Sequence, residues 1–91
     1  FAEYTCAPES ACGLMPDETD YKEMACVPIA GLTALQALIT HGKLKAGESV
    51  LINGSSGGVG HFAVQIAKKY GATVTAVCSC KNIDFVKSLG I

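Results

Sequence analysis

The residues with the clearest chemical potential are Gly54-Ser55-Ser56-Gly57-Gly58-Val59-Gly60. They follow a short apolar run, Ser49-Val50-Leu51-Ile52, which reads as a buried strand. After them Val59, Phe62, Ala63, Ile66, Ala67 and Tyr70 recur at helical spacing. The first N–H groups of a helix lack partners within it, and its dipole leaves partial positive charge there. An anion such as a pyrophosphate fits such a place, and glycines let the backbone approach it. The dinucleotide pattern G-x-G-x-x-G maps onto Ser55, Gly57 and Gly60, with serine in place of the first glycine. A P-loop needs a Lys-Ser/Thr pair after the last glycine, and His61-Phe62 stand there instead. Ser55, Ser56, Gly57, Gly58 and Val59 are therefore candidate cofactor-binding residues. A tight turn without a ligand is the alternative.

A second candidate cluster lies about twenty residues on. An acid there would bind the ribose hydroxyls of NAD. The stretch Val77-Cys78-Ser79-Cys80-Lys81-Asn82 has no carboxylate. Ser79 can donate to a phosphate and Lys81 adds positive charge, so the site is expected to prefer NADP(H) to NAD(H). A solvated Lys81 at a helix start is the plainer reading. His61 is expected to pack or face solvent, His41 to sit as a favourable charge at a helix end, and Tyr70 to lie in the core. No nucleophile, base and orienting group can be assembled from the chain, which agrees with chemistry done by a cofactor.

These clusters require particular elements to hold them. A helix is expected from Tyr21 to Cys26, capped by Thr19 or Asp20 and ended or kinked by Pro28. A second should run from Ala30 to His41, with Leu32, Leu35, Leu38 and Ile39 on one face, Ala34 and Ala37 filling in, and Gly42 at its C′ position. Thr73 to Cys78 reads as a second strand, parallel to the first through a right-handed crossover. An amphipathic segment from Asn82 carries Ile83, Val86 and Leu89. Phe1 to Thr5 alternates like a short strand, and Cys6 to Glu18 reads as loop. The fold class is α/β: a partial Rossmann fold, one βαβ unit with preceding helices, part of a doubly wound parallel sheet.

Composition narrows the function classes. The chain has 91 residues, a net charge of −1 and no excess of basic side chains, which argues against nucleic-acid binding. Hydrophobic residues make up 49% and charged ones 16%, which argues against disorder. No apolar run is long enough to span a bilayer, and the first residues do not look like a signal peptide. Five cysteines, at 6, 12, 26, 78 and 80, match no disulfide or zinc spacing. Free, mostly buried thiols in a reducing compartment are expected, in the cytoplasm or an organelle stroma. So much apolar surface on so short a chain calls for a cover.

Val27-Pro28-Ile29-Ala30-Gly31-Leu32-Thr33-Ala34-Leu35-Gln36-Ala37-Leu38, then Gly47-Glu48-Ser49-Val50-Leu51-Ile52 and Ser56-Gly57-Gly58-Val59-Gly60, resemble the medium-chain dehydrogenase/reductase superfamily. Asn82 to Gly90 is similar to its zinc-independent, zeta-crystallin-like quinone oxidoreductase branch. The resemblance implies a GroES-like domain plus a six-stranded Rossmann domain, and hydride transfer from NADPH to quinones or activated alkenes. It also implies a homo-oligomer. Residues 1–18 would end the catalytic domain and its connection, and 19–91 would begin the NADP-binding domain. By the same resemblance the backbone of Gly57, Gly58 and Val59 holds the pyrophosphate. Ser79 and Lys81 lie by the adenosine 2′-phosphate, and Thr33 lies near the nicotinamide end. The zinc-ligand pattern of the alcohol dehydrogenase branch is unmatched, so no metal is expected.

Three readings follow. The chain is part of an NADPH-dependent quinone or enone reductase and inactive by itself. Alternatively it is the enoyl reductase segment of a multidomain synthase, or a small non-catalytic nucleotide-binding or assembly module.

Overall fold

The computed structural model describes residues 2–91. Phe1 lies outside them, and Ala2 to Thr5 form no strand. Alternation alone does not make a strand, because its backbone groups need a partner edge, and none runs beside this segment.

A 3₁₀ turn at Glu9–Ala11 precedes helix α1, Tyr21–Ala25. The Asp20 carboxylate caps α1 by accepting from the Lys22 N–H at 3.1 Å. Helix α2, Val27–Leu35, begins before the expected Ala30 and takes Pro28 into its first turn, where proline costs no hydrogen bond. It widens into a π-helical turn, Gln36–His41, closed by the Gly42 N–H donating to the Ala37 carbonyl at 2.9 Å. The left-handed residue at this end is Lys43, with φ 51°, rather than Gly42.

Strands β1, Ser49–Asn53, and β2, Thr73–Val77, pair in parallel with Val50 opposite Val74 and Ile52 opposite Ala76. Helix α3, Gly58–Lys69, crosses between them. A 3₁₀ turn at Cys80–Asn82 leads into α4, Ile83–Ser88. The βαβ unit is thus as expected.

The core differs from expectation in detail. Helix α3 packs against α2 and both strands, so its buried side comprises Gly60, Ala63, Val64 and Ala67. Tyr70 is 44% exposed and does not join the core. On α2 the buried residues are Gly31 and Ala34, whereas Leu32 is 53% exposed. Leu32 instead lines an apolar groove of about 430 Å³ with Leu14, Met15, Met24 and Val27. Of the sheet's two faces only the one bearing Val50, Ile52, Val74 and Ala76 is covered. Leu51, on the other, is 65% exposed. The accessible surface is 7114 Å², against about 5,000 Å² for a self-contained fold of this mass.

Candidate functional site

The glycine-rich loop leaves the end of β1 and is fastened to the end of β2. The Ser55 N–H and Oγ both donate to the Val77 carbonyl, at 3.0 and 2.9 Å. Ser55 is 0% exposed. Its hydroxyl is therefore committed inward, and its place in the site is to hold the loop. The sharp turn belongs to Gly54, at φ 72°, one residue before the pattern's first position. That is how the loop accommodates serine there. The Gly57 N–H closes the turn on the Gly54 carbonyl at 3.0 Å. Gly60 answers a different need. A Cβ built on it would stand 2.1 Å from the Gly54 oxygen and 2.8 Å from the Ser55 Cα. Only glycine lets α3 start this close to the strand ends.

The start of α3 is electrostatically incomplete. Its N-cap, Gly57, brings no side chain, and its first turn has no acidic residue. Among the described residues, the N–H groups of Gly58, Val59 and Gly60 donate to no protein acceptor. Lys68 and Lys69 sit in the last turn, where cations complement the dipole. A Cβ on Gly58 would meet nothing within 4 Å, so there is room above the loop. Unpaired donors, a positive helix end and open space fit a phosphate-bearing ligand.

The second cluster lies beside this loop. Ser79, just before the 3₁₀ turn that follows β2, and Lys81, within it, are both exposed. The Asn82 amide joins that turn to the loop by donating from Nδ2 to Ser56 Oγ at 3.0 Å. Sequence reasoning passed over Asn82 as a helix start. Its only signal was an amide residue just after Lys81. Thr33 makes no hydrogen bond to the cluster. It is exposed on α2, on the side of the helix opposite the buried Gly31 and Ala34. The apolar groove near α1 is also separate, with no lining residue from the loop.

His61 packs, as expected. Its Nδ1 lies 3.1 Å from the Gly57 carbonyl, and its ring sits 4.3 Å from that of Phe62. The cysteines correct an expectation. All five are free, but Cys6, Cys12, Cys26 and Cys80 are exposed and Cys78 is half-buried. Cys78 falls just outside β2, which ends at Val77, and Cys80 opens the 3₁₀ turn. No helix is long and apolar enough to cross a membrane among the described residues.

A parallel β–loop–α–β unit with its glycine loop at the strands' C-terminal ends has the arrangement that opens a Rossmann-type fold, two strands of the three in one of its halves. No protein-family model matches the chain. It is 48% identical over 94 residues to a chloroplast envelope quinone oxidoreductase homolog of Arabidopsis thaliana, covering 98% of this chain and 29% of that protein. It is 47% identical over 89 residues to the trans-enoyl reductase pgmF of Aspergillus terreus, covering 98% of this chain and 25% of that protein. The solved structure of CurK enoyl reductase superposes with a TM-score of 0.81 at 42% identity, over 85% of this chain and 23% of that one. The chain's homologues belong to the medium-chain dehydrogenase/reductase superfamily. Its homologues are quinone oxidoreductases and enoyl reductases, and it spans about a quarter of the length of the curated relatives it matches. Homologues in this family generally use NAD(P)H.

Proposed function

We propose that the chain is the first βαβ unit of the cofactor domain of an oxidoreductase that passes hydride from NADPH to a quinone or an activated alkene. The observation that carries this reading is the row of three unpaired N–H groups at the start of α3, beside a β2 exit with a lysine and no carboxylate. When bound, the nicotinamide cofactor supplies the hydride. The chain's own residues bind and orient it. Gly57, Gly58 and Val59 hold the pyrophosphate through the loop backbone, and Ser56 adds a hydroxyl. Ser55 holds the loop against β2. Ser79 and Lys81 receive the adenosine 2′-phosphate, and Thr33 lies toward the nicotinamide end. Residues 1–18 close the GroES-like catalytic domain and its connection, and 19–91 open the NADP-binding domain.

The uncovered sheet face and the surface excess support burial against further protein, including a second copy in a homo-oligomer. Similarity to an enoyl reductase over nearly the whole chain supports the activated alkene as acceptor. It also keeps a segment of a multidomain synthase as the second reading. The cytoplasm or an organelle stroma is the proposed compartment; similarity to proteins named for the chloroplast supports the latter.

Fluorescence titration of the protein carrying this segment with NADPH and NADH tests the reading. The NADPH dissociation constant should be lower by about tenfold or more, the worth of charge-assisted hydrogen bonds to the 2′-phosphate. Equal constants would remove the NADP assignment, and no binding of either would remove the cofactor role.

A further inference from the structure

Asn82 stands at the N-cap position of α4 but makes no capping bond there. At such a position an asparagine side chain ordinarily satisfies its own helix. Here its amide reaches across 26 residues of sequence to Ser56. This is the one hydrogen bond between two side chains among the described residues.

The bond has a direction with chemical consequences. An amide NH₂ only donates, so Ser56 Oγ accepts, and its own proton stays free for another acceptor. Ser56 is only half-buried, and its neighbours Gly57 and Gly58 are exposed. Its hydroxyl therefore joins the three unpaired N–H groups as a fourth donor on the same loop.

We propose that Asn82 is a positioning residue for the cofactor's diphosphate: by donating to Ser56 Oγ it commits the Ser56 proton to a phosphate oxygen. The proposal rests on the cofactor reading above and adds a residue to it. Because the diphosphate is common to NADPH and NADH, Asn82 acts on both equally. Lys81, facing the 2′-phosphate, acts on NADPH alone.

The test uses fluorescence titration of the full-length protein with NADPH and with NADH, plus a thermal melt of each variant. Asn82→Ala should raise both dissociation constants by a common factor of about ten. Asn82→Asp, nearly the same shape, should raise them further. Its carboxylate accepts the Ser56 proton and adds negative charge beside the phosphates. Ser56→Ala should match Asn82→Ala, and the double variant should be no weaker than Ser56→Ala alone. That non-additivity shows that Asn82 acts through Ser56, and a loss of affinity with an unchanged thermal midpoint separates positioning from a merely structural role. Unchanged affinity in both Asn82 variants, or a double variant weaker than Ser56→Ala by the full Asn82→Ala factor, would overturn the proposal while leaving the cofactor reading intact. A wild-type protein that binds neither nucleotide would overturn both.

Discussion

Gly60→Ala separates what the loop does for the fold from what it does for a ligand. The added methyl would start 2.1 Å from the Gly54 oxygen, and contacts under 3.0 Å essentially never occur. Both obstacles, the Gly54 oxygen and the Ser55 Cα, are backbone atoms, so no side chain can swing aside. The loop must withdraw from α3. Overpacking of this kind costs about 1–3 kcal/mol. Ser55 is fastened to Val77 by two bonds, and losing its hydroxyl bond adds about 1 kcal/mol. A total of about 2–4 kcal/mol is expected, a large part of the ordinary 5–15 kcal/mol stability of a domain. Urea unfolding should show it as a lower midpoint at unchanged slope. Gly58→Ala is the control. Its Cβ meets nothing within 4 Å, so stability should move by less than about 0.5 kcal/mol. NADPH affinity should nevertheless fall, because the methyl enters the space above the loop. A Gly60→Ala protein with the wild-type midpoint would refute the close-approach argument. Gly58→Ala with unchanged affinity would refute the placement of the diphosphate.

Two further substitutions probe the same neighbourhood. Lys81→Ala should raise the NADPH dissociation constant about tenfold and leave that of NADH unchanged in the same titration; an equal loss for both would move Lys81 away from the 2′-phosphate. Ser55→Ala should lower stability by about 1–2 kcal/mol, read from the urea midpoint, because the Val77 carbonyl keeps only one of its two donors. An unchanged midpoint would mean that the backbone bond alone holds the loop.

The order of elements around the site could be read from sequence because its signals are local. A β-branched or apolar run, a glycine cluster and a 3.6-residue period each announce themselves within a few residues, and β1, α3 and β2 lie where those signals place them. What could not be read is which side of each helix faces its neighbours. On α2 the leucines were expected to lead the buried stripe with Ala34 filling in; Leu38 does pack against the core, but the fully buried residues are Gly31 and Ala34, with Ala63 and Ala67 buried on α3. Small residues let two backbones approach, so the tightest seam is built from side chains that weigh least on a hydrophobicity scale. Val64, 0% exposed, belongs to the core because α3 is sandwiched between α2 and the sheet, and its own sequence period does not report a second partner. The site divides in the same way. The loop is contiguous and was visible as a motif. The bond from Asn82 to Ser56 depends on where β2 ends and how the next turn folds back. Ser55 shows why the two kinds of information must be joined: as a letter it breaks the glycine pattern, and in place it is the residue that ties the loop to the second strand.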